Sequence, residues 1–296
     1  MGCPGGLQGD PRQLAPYAAR RSAEPHSVRR LDTTNPRIRR FLEPQHAAQV
    51  AAAVGFRPGE SLDGVSELLV EGSPLPEVDH RCPILSLPLA LGARLDTIPH
   101  AEGYLRSNPA IVAEWRSQIG GGSRPRIGLV WSGNPKQGND HNRSFRLADW
   151  IGQLLREFQY VCLQKDIRPA DQETLAANPW ILRYDAELRD FDDTAALCEC
   201  LDLVISVCTS VAHLSGALRR PTWVLLPFNP DWRWLLGRND SPWYQSVKLY
   251  RQPAIGDWHG VFARVAADLR QRFALDKLAE RDEASERETG DGRDGV

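Results

Sequence analysis

Leu203–Leu218 reads LVISVCTSVAHLSGAL, a strand pattern running straight into a helix pattern. Leu203–Val207 is a short, nearly continuous apolar run, the pattern of a strand covered on both faces. Thr209 and Ser210 follow, hydroxyl residues of the kind that open helices. The remainder has helical spacing, and the small residues Ala212, Ser215 and Gly216 would let a helix lie close to a sheet. The same alternation continues outward in both directions. Upstream stand RIGLVWSG (126–133), LADWIGQLLREF (147–158), QYVCLQ (159–164), PADQETLAAN (169–178), WILRYD (180–185) and DFDDTAALCECLD (190–202). Downstream stand PTWVLLPF (221–228), VKLYRQ (247–252) and the long amphipathic DWHGVFARVAADLRQRFALDKL (257–278). Apolar strands separated by helices predict an α/β domain over 124–278, with a doubly wound, Rossmann-like parallel sheet.

The sequence before Arg124 has a different texture. Residues 1–60 are rich in Arg, Ala and Pro, with AAQVAAAV (47–54) as the one helical pattern, so a divergent and partly disordered segment is expected. In 61–123, SELLVEG (66–72) suits a short strand. CPILSLPLALG (82–92) is cut by Pro83 and Pro88 and suits buried loop or strand pieces. NPAIVAEWRSQIG (108–120) suits a helix opening at Pro109 and ending at Gly120, with GGGSRPR (120–126) as linker. Residues 279–296 are charged and contain glycine, so a disordered tail is expected.

A formal net charge of -2 over 296 residues gives no global pull towards nucleic acid or anionic membrane. The chain contains no apolar run of the ~20 residues that span a bilayer, and no apolar core near Met1, so a cytoplasmic location is expected. The cysteines, Cys3, Cys82, Cys162, Cys198, Cys200 and Cys208, lack zinc-ligand spacing and read as reduced thiols, mostly in apolar segments.

Ligands of open parallel sheets bind beyond the C-terminal strand ends, which directs attention to four loops. Thr209, Ser210 and His213 surround a helix start whose free N–H groups suit a phosphate; a histidine that merely caps a carbonyl is the competing reading. The loop after RIGLV carries Asn134, Lys136, His141 and Arg143, with charges suited to a diphosphate or simply to solvent. Lys165 ends the second strand, facing either ligand or water. NPDWRWLLGRNDSPWY (229–244) is dense in aromatics that suit either base stacking or packing, with Asp231, Arg233 and Trp232 as polar and aromatic candidates. Its interleaved acids leave no basic stripe for nucleic acid.

IGLVWSGNP (127–135), NDHNRSF (139–145), LQKD (163–166) and the run from Asp190 to Tyr244 resemble the bacterial glycosyltransferase-like domain found after tetratricopeptide repeats. That family is similar to glycosyltransferase family 9, the heptosyltransferases, and more remotely to O-linked GlcNAc transferases. LPEVDHRCPILSLPLALGARLDTIP (75–99) resembles the segment that ends the family's first domain, so the resemblance covers about 62–272. It implies a GT-B fold, with two Rossmann-like domains facing across a cleft. It also implies transfer of a sugar from a nucleotide-sugar donor to an acceptor hydroxyl on a protein or glycan, with no metal or other cofactor. Thr209, Ser210 and His213 would contact the donor phosphates. Lys136, Arg143, Lys165, Asn134 and Cys208 would complete the donor side, and Asp96 is the candidate polar residue near the cleft. Two departures stand out. Where the family reads Ser-Val-Asp-Thr, this chain has Ser206-Val207-Cys208-Thr209. The family's opening strand and Gly-rich turn have no counterpart in 1–60, which implies a truncated or divergent N-terminal domain in 61–123. A catalytically impaired nucleotide-sugar-binding module, or a fragment of a larger repeat-bearing glycosyltransferase, is the alternative.

Overall fold

The computed structural model describes Leu89, residues 92–98 and residues 103–273. The expectations for 1–60, for SELLVEG, for most of CPILSLPLALG and for the tail from Ala279 lie outside the described residues, as do Cys3 and Cys82. Among the elements whose full range is described, α1 (Pro109–Gln118) leads, with Asn108 as its cap. Then follow β1 (Arg126–Val130), α2 (Asp140–Arg143), α3 (Leu147–Trp150), β2 (Gln159–Cys162), α4 (Pro169–Ala176), β3 (Ile181–Arg183) and α5 (Phe191–Glu199). β4 (Leu203–Val207), α6 (Ser210–Ala217), β5 (Thr222–Leu226), β6 (Val247–Arg251) and α7 (Trp258–Arg272) complete the order.

The six strands form one all-parallel sheet in the order β3-β2-β1-β4-β5-β6. β4 and β5 are buried at every residue, as their nearly continuous apolar runs require, with Ser206 and Thr222 the buried polar exceptions. Leu129 pairs with Ile205 and Ile205 with Trp223, so the middle of the sheet is apolar across three strands. The helices form two groups. α1, α5 and α6 contact one another in series, and α3 contacts α4. Trp150 stacks on Phe262 of α7 at 5.4 Å between ring centroids, closing the second group.

α1 belongs to the same core as the sheet. Leu105, Val112, Trp115 and Ile119 join the continuous buried cluster. The Trp115 indole N–H donates to Asp193 at the start of α5, 3.3 Å away. The helix anticipated over 147–158 is shorter than its spacing suggests. α3 stops at Trp150, a 3-10 turn covers Ile151–Gln153, and Leu154 is extended. Gly152 weakens the helix, and the Leu155 N–H finds its acceptor in the Tyr160 hydroxyl, 3.1 Å away on β2.

Candidate functional site

Strand order reverses between β1 and β4, so the crevice of this sheet lies beyond Val130 and Val207. Four loops meet there, and their contacts are specific. The β1 exit loop is organised around a buried carboxylate. Asp140 accepts from Arg143 Nε at 3.1 Å, from the Ser144 hydroxyl at 2.9 Å, and from Arg168 Nη2. Arg168 also donates to the Gly133 carbonyl at 3.0 Å, and the Gly133 N–H donates to Ser144 Oγ at 2.9 Å. Arg143 then crosses the crevice, its Nη1 donating to the Cys208 carbonyl at 2.7 Å. The pair packs tightly on Gly133: a Cβ there would meet the Arg143 guanidinium and sit 2.7 Å from Asp140 Oδ1, so a larger residue would displace the pair.

Gln164 braces the neighbouring strand end. Its Oε1 accepts from the Trp131 and Ser132 N–H groups, both at 2.8 Å. Asp171 on α4 takes the Trp131 indole N–H at 2.9 Å and the Leu147 N–H at 2.8 Å. Both side chains are buried and hydrogen-bonded, as interior polar groups must be.

The β4–α6 turn offers main-chain donors. Thr209 occupies the N-cap position of α6, but its hydroxyl makes no cap hydrogen bond. It lies 3.1 Å from Ser206 Oγ, turned back towards the strand. The expected side-chain cap is therefore absent: the Thr209 hydroxyl is engaged with Ser206 Oγ instead of the first-turn N–H groups. The first-turn N–H groups of α6 face the crevice side of the sheet without that internal acceptor, and Ser210 beside them is exposed.

His213 is held by aromatics. Its ring stacks on Trp234 at 4.9 Å and 18°, and its Nδ1 lies 3.0 Å from the Tyr244 hydroxyl. The Tyr104 hydroxyl donates in turn to Tyr244 at 3.4 Å. Gly216 makes room for this ring, since a Cβ there would meet Tyr244 at 2.7 Å. Burial pushes the Tyr244 phenol up to about 12 and raises Tyr104 well above the usual phenol range. The Trp234 indole N–H donates to Cys208 Sγ at 3.0 Å. Burial raises the Cys208 thiol above its ordinary value, against the lowering effect of that hydrogen bond, so the group is neutral at pH 7.

The β5 exit loop carries the remaining candidates. Asp231 accepts from Arg233 Nη1 at 2.9 Å and from the Arg233 N–H at 3.0 Å. The Arg233 guanidinium lies over the Trp232 ring at 4.8 Å, and Trp232 is 64% exposed. Leu235 has φ 51°, rare for a branched side chain. Arg251 at the end of β6 holds this bend by donating to the Leu235 carbonyl at 2.7 Å.

Arg143, Cys208, Thr209, Ser210, His213 and, through Trp234, the Asp231–Arg233 loop are thus neighbours at one sheet edge. Asn134 and Lys136 lie in the same β1 exit loop, where Asn134 Oδ1 accepts the Lys136 N–H at 2.9 Å; Lys136 has no ion-pair partner among the described residues. Lys165 reaches along the edge to the Arg189 carbonyl. Asp96 is exposed and stands apart from this group; its neighbour Leu95 lines a shallow cavity with Arg238, Asp240, Ser241, Pro242 and Gln245. Asp140, Arg168, Asp171 and Tyr104 do much of the organising and were not singled out from sequence; Tyr244 belongs to the aromatic loop whose packing was one of its two readings. Of the four missed, Asp140 carried a local signal, its spacing of three from Arg143. Among the described residues there is no group of three metal-ligating side chains and no helix long and apolar enough to cross a membrane.

Chemically, the edge combines main-chain N–H donors, a guanidinium and an exposed indole, an arrangement able to hold an anion beside a flat ring. No family model matches the chain. Protein FlbA of Caulobacter vibrioides is 30% identical over 183 residues, which is 59% of this chain and 30% of that protein. The chain therefore spans less than a third of that relative's length. Among solved structures, ADP-heptose LPS heptosyltransferase II of E. coli is 21% identical, covers 58% of this chain and 54% of its own, and has a TM-score of 0.42, too low a likeness to carry a function across.

Proposed function

We propose that this chain is glycosyltransferase-like and that its described domain is the donor half of a GT-B arrangement, binding the diphosphate of a nucleotide-sugar at the crevice between β1 and β4. The observation that carries the reading is the uncapped start of α6 at the strand-order reversal, faced by Arg143 from the opposite loop. A helix N-terminus and a guanidinium would stabilise a leaving diphosphate without a metal. Thr209, Ser210 and His213 take the phosphates in this reading. Lys136 and Lys165 add charge from the rim, and Trp232, Asp231 and Arg233 receive the base or sugar. The acceptor is a hydroxyl on a protein or glycan, held by a second domain.

The residues support a second reading, a nucleotide-sugar-binding module that does not turn over. Cys208 presents a neutral, nearly buried thiol at a position where the resembling family has an aspartate.

Titration calorimetry with UDP, ADP and GDP tests the shared premise. Folded protein that gives no heat with any of the three removes both readings. His213→Ala is expected to weaken binding by about 1–3 kcal/mol, the range for a buried or charge-assisted hydrogen bond. Donor-consumption assays then separate the two readings. Cys208→Asp should fold, because the Trp234 indole N–H at 3.0 Å would meet a carboxylate as readily as a thiol. It should not by itself produce fast transfer, since holding an acceptor against the donor accounts for ~7–11 kcal/mol of such barriers. Turnover by the unaltered chain near the ordinary ~10 per second rules out the binding-module reading.

A further inference from the structure

A cavity lies at the opposite edge of the sheet from the crevice. It has a volume of about 530 Å³. Its walls come from the end of α1, the glycine-rich segment after it, the start of β1 and the turn between α5 and β4. Three arginines line it: Arg116, Arg126 and Arg220.

The charges are not balanced within the cavity. Glu199 pairs with Arg220 Nη1 at 3.5 Å, and Arg220 Nη2 donates to the Leu201 carbonyl at 2.9 Å. Asp202, the other acid in the wall, accepts the Arg126 main-chain N–H at 2.7 Å and keeps its negative charge, so three arginines face two carboxylates. The Arg126 guanidinium donates to the Gly120 carbonyl, and Arg116 is exposed. Among the described residues neither Arg116 nor Arg126 has a carboxylate within ion-pair distance. Gly121 and Gly122 leave the mouth open, since a Cβ at either would meet nothing within 4 Å.

Two guanidiniums without carboxylate partners, in a cavity large enough for a small metabolite, match the forked geometry of phosphate oxygens. We infer that this cavity is a second binding site, for the phosphate group of a small molecule, separate from the crevice. The inference is independent of the glycosyltransferase reading, because it uses none of the crevice residues.

Cys200 lines the same cavity and supplies a local reporter. The experiment is maleimide labelling of the full chain, read by mass spectrometry at the Cys200 peptide, with pyrophosphate titrated at constant ionic strength. Saturable protection of Cys200 is expected. Arg116→Ala, and separately Arg116→Gln, should weaken that protection at least tenfold, and Arg143→Ala should leave it unchanged. Equal protection by chloride at matched ionic strength would overturn the inference. So would protection unaltered in both Arg116 variants, no protection at all, or stronger protection by citrate than by pyrophosphate, which would reassign the site to carboxylates.

Discussion

Asp140 shows how one residue sets the geometry of the crevice. Its carboxylate is nearly buried and holds Arg143 and Arg168 together, and Arg143 spans to the main chain of Cys208. Replacing it with asparagine leaves two partly buried guanidiniums without their counter-charge. Breaking a buried pair typically costs 3–5 kcal/mol, and the partial exposure of both arginines reduces this, so Asp140→Asn should lose about 2–3 kcal/mol in urea unfolding. Nucleoside-diphosphate affinity should fall with it; unchanged affinity would show that Arg143 is not held in place by Asp140. The buried tyrosines make a second residue-scale statement. Folding keeps the Tyr104 and Tyr244 phenols protonated, with the latter pushed up to about 12. The folded state then binds more protons than the unfolded chain above the ordinary phenol value near 10, so stability is complete below that pH and falls as pH rises towards 12. Thermal melts between pH 8 and 11.5 should show this decline, and Tyr244→Phe should make it shallower.

Among the elements, α1 is the one whose allegiance matters most. Its sequence reads equally well as the close of a preceding domain, yet Trp115 lies 3% exposed against α5 and reaches Asp193. Trp115→Ala should therefore destabilise the sheet domain by about 3–5 kcal/mol, the range for a large aromatic lost from a core. A chain starting at Gly103 should be more stable to urea than one starting at Arg124, and equal midpoints would contradict the packing. Asp193 adds a pH signature to the same contact. The Arg189 guanidinium, ahead of the desolvation that opposes it, holds the Asp193 carboxyl below the usual carboxylate range. The stabilisation is thus present above the ordinary carboxylate value and is lost as pH falls through the depressed one. Acid titration of Asp193→Asn should lack that part of the decline.

At the scale of the whole molecule, the buried cluster of the described residues runs from Leu105 through all six strands to Leu269. A core without an internal division favours cooperative unfolding. Far-ultraviolet and tryptophan-fluorescence melts of residues 103–273 should coincide, and two separated transitions would show that α1 or α7 unfolds on its own. The two sheet edges are chemically different. The crevice edge joins helix N–H groups to aromatic rings, and the opposite edge gathers arginines around a glycine-rich segment.

The parallel sheet was legible in LVISV and TWVLL, because strands covered on both faces need nearly continuous apolar runs and helices of 3.6 periodicity between them. The candidate residues at strand ends were legible for the same reason, since a parallel sheet sends its exit loops to one edge. Which of those polar groups meet one another is settled by the folded chain alone. Arg143 finds Cys208 across 65 positions of sequence, and His213 finds Tyr244 across 31. Local spacing carries no record of such pairings, which arise when strands distant in sequence become neighbours in the sheet. The turn of Thr209 back to Ser206 was undecided for a related reason: a hydroxyl can bond either the helix or the strand beside it, and the Ser206 hydroxyl that competes for it is brought within 3.1 Å only in the folded turn.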